Sequence, residues 1–175
     1  MTIRKILVEP NQFLRKKSLL VEKVDDEARK IMDDMLETMY AAPGIGLAAI
    51  QIGITKRIIV LDLGGKQDEP KNPMFFVNPE IIEKSNTNST YEEGCLSVPG
   101  QFAEIDRPEK CHLKYLDYYG TQKEIRAEGM LATCIQHEMD HLEGILFIDY
   151  LSKLKRSMIT KKLSKQKKEL ERIVV

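Results

Sequence analysis

Several residue types that mark particular protein classes are scarce or absent in this chain. Tryptophan is missing, and cysteine and histidine contribute only three residues each to the 175. Three cysteines without paired spacing argue against a disulfide scaffold and favour a reducing compartment. The start of the chain lacks the apolar run of a signal peptide, and no stretch is apolar for long enough to span a bilayer. We therefore expect a cytoplasmic protein with no membrane partner.

Length and composition indicate one globular unit. The chain has 175 residues, of which 42% are hydrophobic, and it contains no internal repeat or low-complexity linker. A chain of this size can bury a proper core without a second domain. We predict a single domain over residues 1–175.

Charge is divided unevenly along the chain, although the formal net charge is zero. Residues 151–175 contain nine basic and two acidic residues, net +7, which leaves the first 150 residues at −7. A mostly apolar stripe at helical spacing lies beneath these basic side chains and comprises Ile159, Leu163, Gln166, Leu170 and Ile173. We predict a basic C-terminal helix that either packs on the domain or binds RNA, a membrane or a partner.

The order of periodic segments predicts an α+β fold. Residues 25–42 have apolar side chains at helical spacing behind Asp25 or Asp26 as a cap. Strand-like segments then follow without helices between them, at residues 57–63, 75–77 with 80–83, 91–97, 110–117 and 121–127. This order predicts mainly antiparallel β-sheets packed around a central helix.

The sequence His-Glu-Met-Asp-His at residues 137–141 is the most informative motif. On a helix, His137 and His141 would lie one turn apart on the same face, close enough to share a metal ion. Neutral imidazole binds zinc, iron, nickel and copper. Glu138 would be turned away from this pair and could serve as a general base toward a bound water. The central helix is therefore predicted to bind metal.

A catalytic metal site typically has three protein ligands and keeps a fourth position for water. The metzincin pattern fails here because Phe147 stands where that family has its third histidine. His112 alternates with two lysines on a strand-like segment, which is typical of a solvent-facing side chain. The cysteines are better candidates, and Cys95 differs from the others because it lies in a glycine-bracketed stretch that contains Pro99. That stretch predicts a turn or strand end with its backbone exposed to a ligand.

A glycine-rich stretch begins at Gly44 and reads Gly-Ile-Gly-Leu-Ala-Ala. It fits the G-x-G-x-x-A pattern of dinucleotide sites, but it follows a predicted helix, whereas a dinucleotide loop follows a strand. The glycines are better explained by a backbone that runs beside an extended peptide and pairs with it. Gly46 and Ile45 are the expected substrate contacts.

Three segments together resemble the signature motifs of the peptide deformylase family. They are residues 44–51, 93–97 and 137–141, which read Gly-Ile-Gly-Leu-Ala-Ala-Ile-Gln, Glu-Gly-Cys-Leu-Ser and His-Glu-Met-Asp-His. The three occur in the family's order and at spacings that fit, and the resemblance extends over essentially the whole chain. It implies a hydrolase that removes the formyl group from the N-terminal formylmethionine of newly made polypeptides and releases formate.

The resemblance also implies a role for individual residues. Cys95, His137 and His141 would hold the metal, which is expected to be Fe²⁺, with Zn²⁺, Ni²⁺ or Co²⁺ as substitutes. Glu138 would act as general base and then as general acid. Gln51 and the backbone N–H of Leu96 would face the substrate oxygen, where negative charge develops.

The methionine side chain of the substrate needs an apolar slot near the metal. Ile45 and Cys134 are the expected walls because they adjoin the matched motifs. Met130 and Tyr91 are further candidates that could equally be ordinary core residues. These assignments place the slot on the N-terminal side of the metal-binding histidines.

Charged residues outside the ligand set also have expected positions. Glu93, Asp140 and Arg107 are predicted to form a network that orients the ligands, since metal-bound histidine usually donates its second N–H to a carboxylate or carbonyl. At position 102 many relatives have arginine, whereas this chain has Phe102. A substrate contact made by that arginine cannot be transferred to this chain.

Two other classes of activity remain open from the residues alone. A metallopeptidase acting on ordinary peptide bonds would share the metal helix but would not need Cys95 or Gln51. A metal-independent cysteine hydrolase would use Cys95 as nucleophile and a histidine as base. Because the resembled family works on chains that emerge from the ribosome, we hypothesise that the basic C-terminal helix docks there, and we expect a monomer.

Overall fold

The computed structural model describes residues 2–64 and 70–173. Within these ranges the chain forms three α-helices, namely α1 (Asp26–Ala41), α2 (Gly129–Leu142) and α3 (Lys153–Ile173). It also forms seven strands, namely β1 (Gly46–Ala48), β2 (Ile58–Leu61), β3 (Met74–Lys84), β4 (Asn88–Cys95), β5 (Val98–Pro108), β6 (Lys110–Leu116) and β7 (Gln122–Glu128). Short 3-10 helices occur at Gln12–Arg15, Ala49–Ile52 and Phe147–Tyr150.

The strands form two antiparallel sheets that enclose α2. Five strands pair in the order β1-β2-β3-β6-β7, and β4 pairs with β5 in a separate two-stranded sheet. Helix α2 packs against β1, β2, β6 and β7 of the larger sheet and against β4 and β5 of the smaller one. The predicted α+β class, with mainly antiparallel sheets around a central helix and a C-terminal helix, is confirmed.

Helix α1 begins where the sequence predicts a cap. The side chain of Asp25 accepts a hydrogen bond from the backbone N–H of Ala28 at 2.9 Å, and Asp26 and Glu27 place negative charge in the first turn. The apolar face is buried against β1 and β2 through Ala28, Ile31, Met32, Met35 and Met39. Of the two predicted caps, Asp25 is the one used.

A glycine with a positive φ angle lies at each end of helix α2, and most other residues would be strained in that backbone conformation. Gly129 begins the helix at φ +60°, and Gly144 follows its end at φ +75°. A Cβ atom at Gly144 would lie 2.4 Å from the carbonyl oxygen of Arg15, so a side chain could not be accommodated without moving the backbone. The predicted stop at Gly144 is confirmed, and it fixes the end of the helix that bears the histidines.

Two features of the sheets differ from the sequence-based expectation. The pattern gives no strand between residues 97 and 110, yet β5 occupies most of that segment and includes Pro99. This segment is a strand because it pairs with β4 through backbone hydrogen bonds, and the pattern of side chains does not indicate that pairing. The two segments predicted at residues 75–77 and 80–83 form one strand, β3, with a shift of register between Val77 and Glu80.

Helix α3 is the C-terminal helix that the sequence predicts, but its apolar contact with the rest of the domain is shorter than the predicted stripe. Leu163 is buried and Ile159 is partly buried against the cluster formed by Val98, Ile105, Leu146, Phe147 and Ile148. Gln166, which the predicted stripe also includes, is exposed, and the side chains of Leu170 and Ile173 lie outside the described residues. In the part of the chain that the structure describes, no helix is both long and apolar enough to cross a membrane.

Candidate metal centre

The two histidines of the central motif lie side by side on α2. Their ring centroids are 5.1 Å apart, and both side chains are buried. The spacing of four residues places them on one face of the helix, as the sequence predicts. Helix α2 therefore directs two imidazoles to one point inside the protein.

Cys95 meets this pair from the last position of β4. Its Sγ atom lies 3.2 Å from Nε2 of His141, and one ligand atom from each of Cys95, His137 and His141 lies within 4.8 Å of the other two. Ligands of a tetrahedral zinc ion are about 3.5 Å apart for bonds of roughly 2.0 to 2.3 Å. One sulfur and two nitrogens at these separations fit a single ion of zinc or ferrous type. Among the described residues, no other group of three potential ligands comes together in this way.

Two N–H groups point at the sulfur of Cys95. The backbone N–H of Ser97 donates to Sγ at 3.4 Å, and Nε2 of Gln51 donates to Sγ at 3.6 Å. These two contacts, one from the local backbone and one from a side chain, hold the sulfur at the point where the two imidazoles converge.

The predicted charge network is present behind His137. Glu93 Oε2 lies 2.8 Å from Nδ1 of His137, and Arg107 donates to Glu93 at 2.5 and 3.0 Å and to Asp140 at 2.8 Å. Burial alone would raise the pKa of Glu93, but the hydrogen bonds from His137 and Arg107 outweigh burial and lower it. An ionised carboxylate at this distance favours the His137 tautomer with its proton on Nδ1, which leaves Nε2 available to bind a metal ion.

Tyr150 extends this network and has no signal in the sequence. Its hydroxyl donates to Asp140 at 2.8 Å, and the Arg107 guanidinium lies over its ring at 5.0 Å from the centroid. Tyr150 belongs to the 3-10 helix after α2, and only the tertiary packing brings it back to Arg107.

Glu138 is enclosed beside the three candidate ligands. Its side chain is 5% exposed, and Oε2 finds no hydrogen-bond partner in the described part of the chain. Burial raises the pKa of Glu138 to about 7. A Cβ atom at Gly46 would lie 2.4 Å from Oε1 of Glu138, so glycine is needed for β1 to approach the carboxylate. An unpaired carboxyl group with a pKa near neutrality can both accept and donate a proton.

The amide of Gln51 is fixed at both ends. Its Oε1 accepts the backbone N–H of Ala48 at 2.8 Å, and its Nε2 donates to Ser97 Oγ at 3.1 Å as well as to Cys95. Leu96 follows Cys95, and its side chain packs so closely on Gly44 that a Cβ there would lie 2.7 Å from Cδ1. Both residues line the cavity described next.

A cavity of about 560 Å³ opens at this centre. Of the residues that the sequence assigns to the site, those lining it are Ile45, Gly46, Gln51, Cys95, Leu96, Cys134, His137 and Glu138. Tyr91, Met130 and Phe102 line it as well, whereas His141 lies beneath it and is fully buried. His112 is elsewhere, with its Nε2 atom 2.9 Å from Glu124, in agreement with its exclusion as a ligand.

Known proteins resemble this chain over essentially its whole length. The family model described as polypeptide deformylase matches residues 3–157. A peptide deformylase from Pelagibacter ubique is 64% identical over 175 residues, with 100% of both chains covered, and one from Phenylobacterium zucineum is 61% identical, with 96% of this chain and 99% of that protein covered.

Solved structures agree with the sequence relatives. The crystal structure of a peptide deformylase from Ehrlichia chaffeensis in complex with actinonin has a TM-score of 0.90 at 44% identity and covers 95% of this chain and 98% of that chain. One from Legionella pneumophila has a TM-score of 0.89 at 46% identity, with 98% and 99% covered. The chain therefore belongs to the peptide deformylase family.

Proposed function

We propose that Cys95, His137 and His141 hold the metal ion of a metal-dependent amidohydrolase. As a member of its family, the chain removes the formyl group from the N-terminal formylmethionine of newly made polypeptides and releases formate. The observation that carries the assignment of the site is the convergence of one sulfur and two ring nitrogens at the wall of a cavity, beside the unpaired carboxyl group of Glu138.

We propose ferrous iron as the metal, as the resemblance to the family implies, with zinc, nickel or cobalt as substitutes. A thiolate and two imidazoles suit these ions better than calcium or magnesium, which prefer oxygen ligands. Three protein ligands would leave such an ion a further position for water or substrate. When bound, the ion polarises the formyl carbonyl and makes a water easier to deprotonate.

Glu138 would move the protons of the reaction. Its carboxylate takes a proton from the attacking water as the new C–O bond forms at the formyl carbon. The protonated carboxyl group then gives that proton to the methionine nitrogen as the C–N bond breaks. The formic acid so formed gives its remaining proton to the amine or to solvent, so formate leaves and the peptide keeps a protonated or a neutral amine, respectively. The pKa of about 7 allows both steps near neutral pH.

Gln51 and Leu96 would stabilise the charge that gathers on the formyl oxygen. Nε2 of Gln51 is held at the cavity because its own Oε1 accepts the backbone N–H of Ala48, and it would donate to the formyl oxygen in place of its long contact with Cys95 Sγ. The backbone N–H of Leu96 would be the second donor. A fixed donor of this kind is worth about 3 kcal/mol of barrier stabilisation.

The peptide would bind along the edge of β1. This strand is the first in the order of the larger sheet, and Ile45 and Gly46 line the cavity. An extended peptide can add to such an edge through backbone hydrogen bonds. Ile45 and Cys134 would then form the walls of the methionine slot, with Met130 and Tyr91 as neighbours in the same cavity.

A pair of peptides tests this function against ordinary peptide-bond cleavage. We expect anaerobically purified, metal-analysed protein to release formate from formyl-Met-Ala-Ala and to leave its peptide bonds intact. Unformylated Met-Ala-Ala should remain unchanged, as measured by chromatography of the products. Cleavage of the unformylated peptide without formate release would instead indicate a metallopeptidase of another kind.

We propose further that the basic C-terminal helix, α3, docks on the ribosome. On both sides of Leu163, the helix carries exposed lysines that the apolar contact with the rest of the domain does not cover, and the charge of residues 151–175 is +7. Such a surface suits the phosphate groups of RNA. Complete removal of α3 is a poor test because Leu163 is part of a buried cluster.

Charge neutralisation tests the docking more cleanly. The triple variant Lys161→Ala, Lys162→Ala and Lys165→Ala should bind ribosomes about ten-fold more weakly and with a shallower salt dependence, as measured by co-sedimentation. The matched control replaces three exposed lysines outside α3, namely Lys5, Lys17 and Lys23. Equal binding by both variants across the salt range would exclude α3 as the docking element.

We also propose that the chain works as a monomer in the cytoplasm. This chain's own residues form the cavity, the candidate ligand set and the charge network, so the proposed chemistry requires no residue from a second copy. No disulfide joins any of the three cysteines, which supports a reducing compartment. Sedimentation at micromolar concentration would measure the oligomeric state.

A further inference from the structure

Phe102 places an aromatic ring at the rim of the cavity. The residue lies in β5 opposite Gly94 of β4, and its side chain is 65% exposed although it lines the cavity. The ring rests on Gly94, where a Cβ atom would lie 2.5 Å from Cε1 of Phe102. The absence of a side chain at Gly94 thus leaves room for the ring next to Cys95.

The surroundings of this ring are apolar or acidic. Met130, which is 42% exposed, and Tyr91 line the same cavity as Phe102. Among its lining residues in the described ranges there is no lysine or arginine, and Glu92 adds a negative charge. Phe102 and Met130 take no part in the metal ligands or in the charge network behind them. Their exposed apolar surface is left for a ligand to cover.

The direction of an extended peptide decides which substrate residue can reach Phe102. Successive side chains of a strand point to opposite faces, so the first and third residues share a face. If formylmethionine occupies the slot beside Cys134 and Ile45, the third residue points into the same cavity. The second residue points away from it.

We propose that Phe102 contacts the side chain of the third substrate residue and makes the enzyme prefer apolar over acidic side chains there. This inference rests on the proposed function, because it assumes that formylmethionine occupies the slot. It adds a determinant of specificity that lies outside the catalytic groups. The acidic lining strengthens the discrimination, since a carboxylate at the rim would meet the negative charge of Glu92 and, among the described lining residues, no lysine or arginine to pair with.

Formylated tripeptides test this preference directly. For formyl-Met-Ala-X, we expect kcat/KM to be about five-fold higher with leucine than with alanine at X, and lowest with aspartate. A single methylene in an enclosed pocket is worth about ten-fold or more, and the open rim reduces that gain. In Phe102→Ala the ratio of leucine to alanine should fall below about two, mainly through KM, while Phe102→Leu should retain part of it.

Tyr119→Ala is the matched control, since Tyr119 is an aromatic residue that is 77% exposed in a turn outside the cavity. It should keep the five-fold ratio. A Phe102→Ala variant with an unchanged ratio would overturn the proposal, as would a change that appears at the second residue of formyl-Met-X-Ala instead of the third.

Equilibrium binding keeps the two proposals separable. Weaker binding of the product peptide Met-Ala-Leu to Phe102→Ala than to the unchanged protein, measured by calorimetry, supports the contact independently of turnover. If no formylated peptide is hydrolysed by any variant, the proposed function fails. The contact is then decided by this binding difference alone, and equal affinities would refute it.

Discussion

Glu138→Gln is expected to retain its metal and to lose formate release by at least about 10³-fold in kcat. The carboxyl group would serve twice in each turnover, first as base toward water and then as acid toward the leaving nitrogen. Glutamine has the same shape but can perform neither step. Because Oε2 of Glu138 makes no hydrogen bond in the described structure, the amide leaves no partner unpaired, and the fold should be unaffected.

The measurement combines formate release from formyl-Met-Ala-Ala with elemental analysis of the same preparation. Glu92→Gln is the matched control, because Glu92 lines the same cavity without being assigned a proton-transfer role. It should keep kcat within a few-fold of the unchanged enzyme. Turnover above about a tenth of the original in Glu138→Gln, with full metal content, would remove Glu138 from the proposed role.

The two histidine ligands could be predicted from local sequence, whereas the third ligand, Cys95, could not be predicted from local rules alone. A spacing of four residues on a helix determines that His137 and His141 share a face, whatever the rest of the fold does. Cys95 is more than forty residues away along the chain and meets them only because β4 ends beside the C-terminal half of α2, which bears both histidines. The resemblance to a family supplied the information that local periodicity does not contain.

Other parts of the site depend on tertiary pairing and had no usable signal. The ring of Phe102 lies over Gly94 because β4 and β5 pair in one register, and the sequence pattern gives no strand at β5. Tyr150 reaches Asp140 because the chain turns back after Gly144. In both cases the contact joins residues that no helical or strand period relates.

In the C-terminal helix, the spacing of apolar residues predicts correctly which face is buried but not how far along the helix the buried contact extends. The apolar stripe predicted from residue 159 onward begins correctly at Ile159 and Leu163, where the body offers an apolar cluster. At Gln166 the side chain is already exposed. Amphipathic spacing gives the direction of a helix face, but the length of the contact is determined by the surface beneath it.

Cys95→Ala is expected to weaken metal binding by more than about 100-fold and to abolish formate release. The variant removes one of three protein ligands, and changes that only reorient a ligand already weaken binding 10- to 100-fold. The metal content of the purified protein and its affinity in competition with a chelator provide the measurement. Cys111→Ala is the matched control, since this buried cysteine lies away from the centre and its replacement should leave metal content unchanged.

Loss of activity in Cys95→Ala would also be expected of a cysteine hydrolase, so the unchanged enzyme must be tested with a chelator as well. In a metal-dependent enzyme, the chelator should abolish formate release, and ferrous iron or zinc should restore it. A nucleophilic Cys95 would continue to turn over without metal, because its activation would need only a histidine as base. Full activity in the metal-free protein, together with an inactive Cys95→Ala variant that retains metal, would therefore replace the metal centre by a thiol nucleophile.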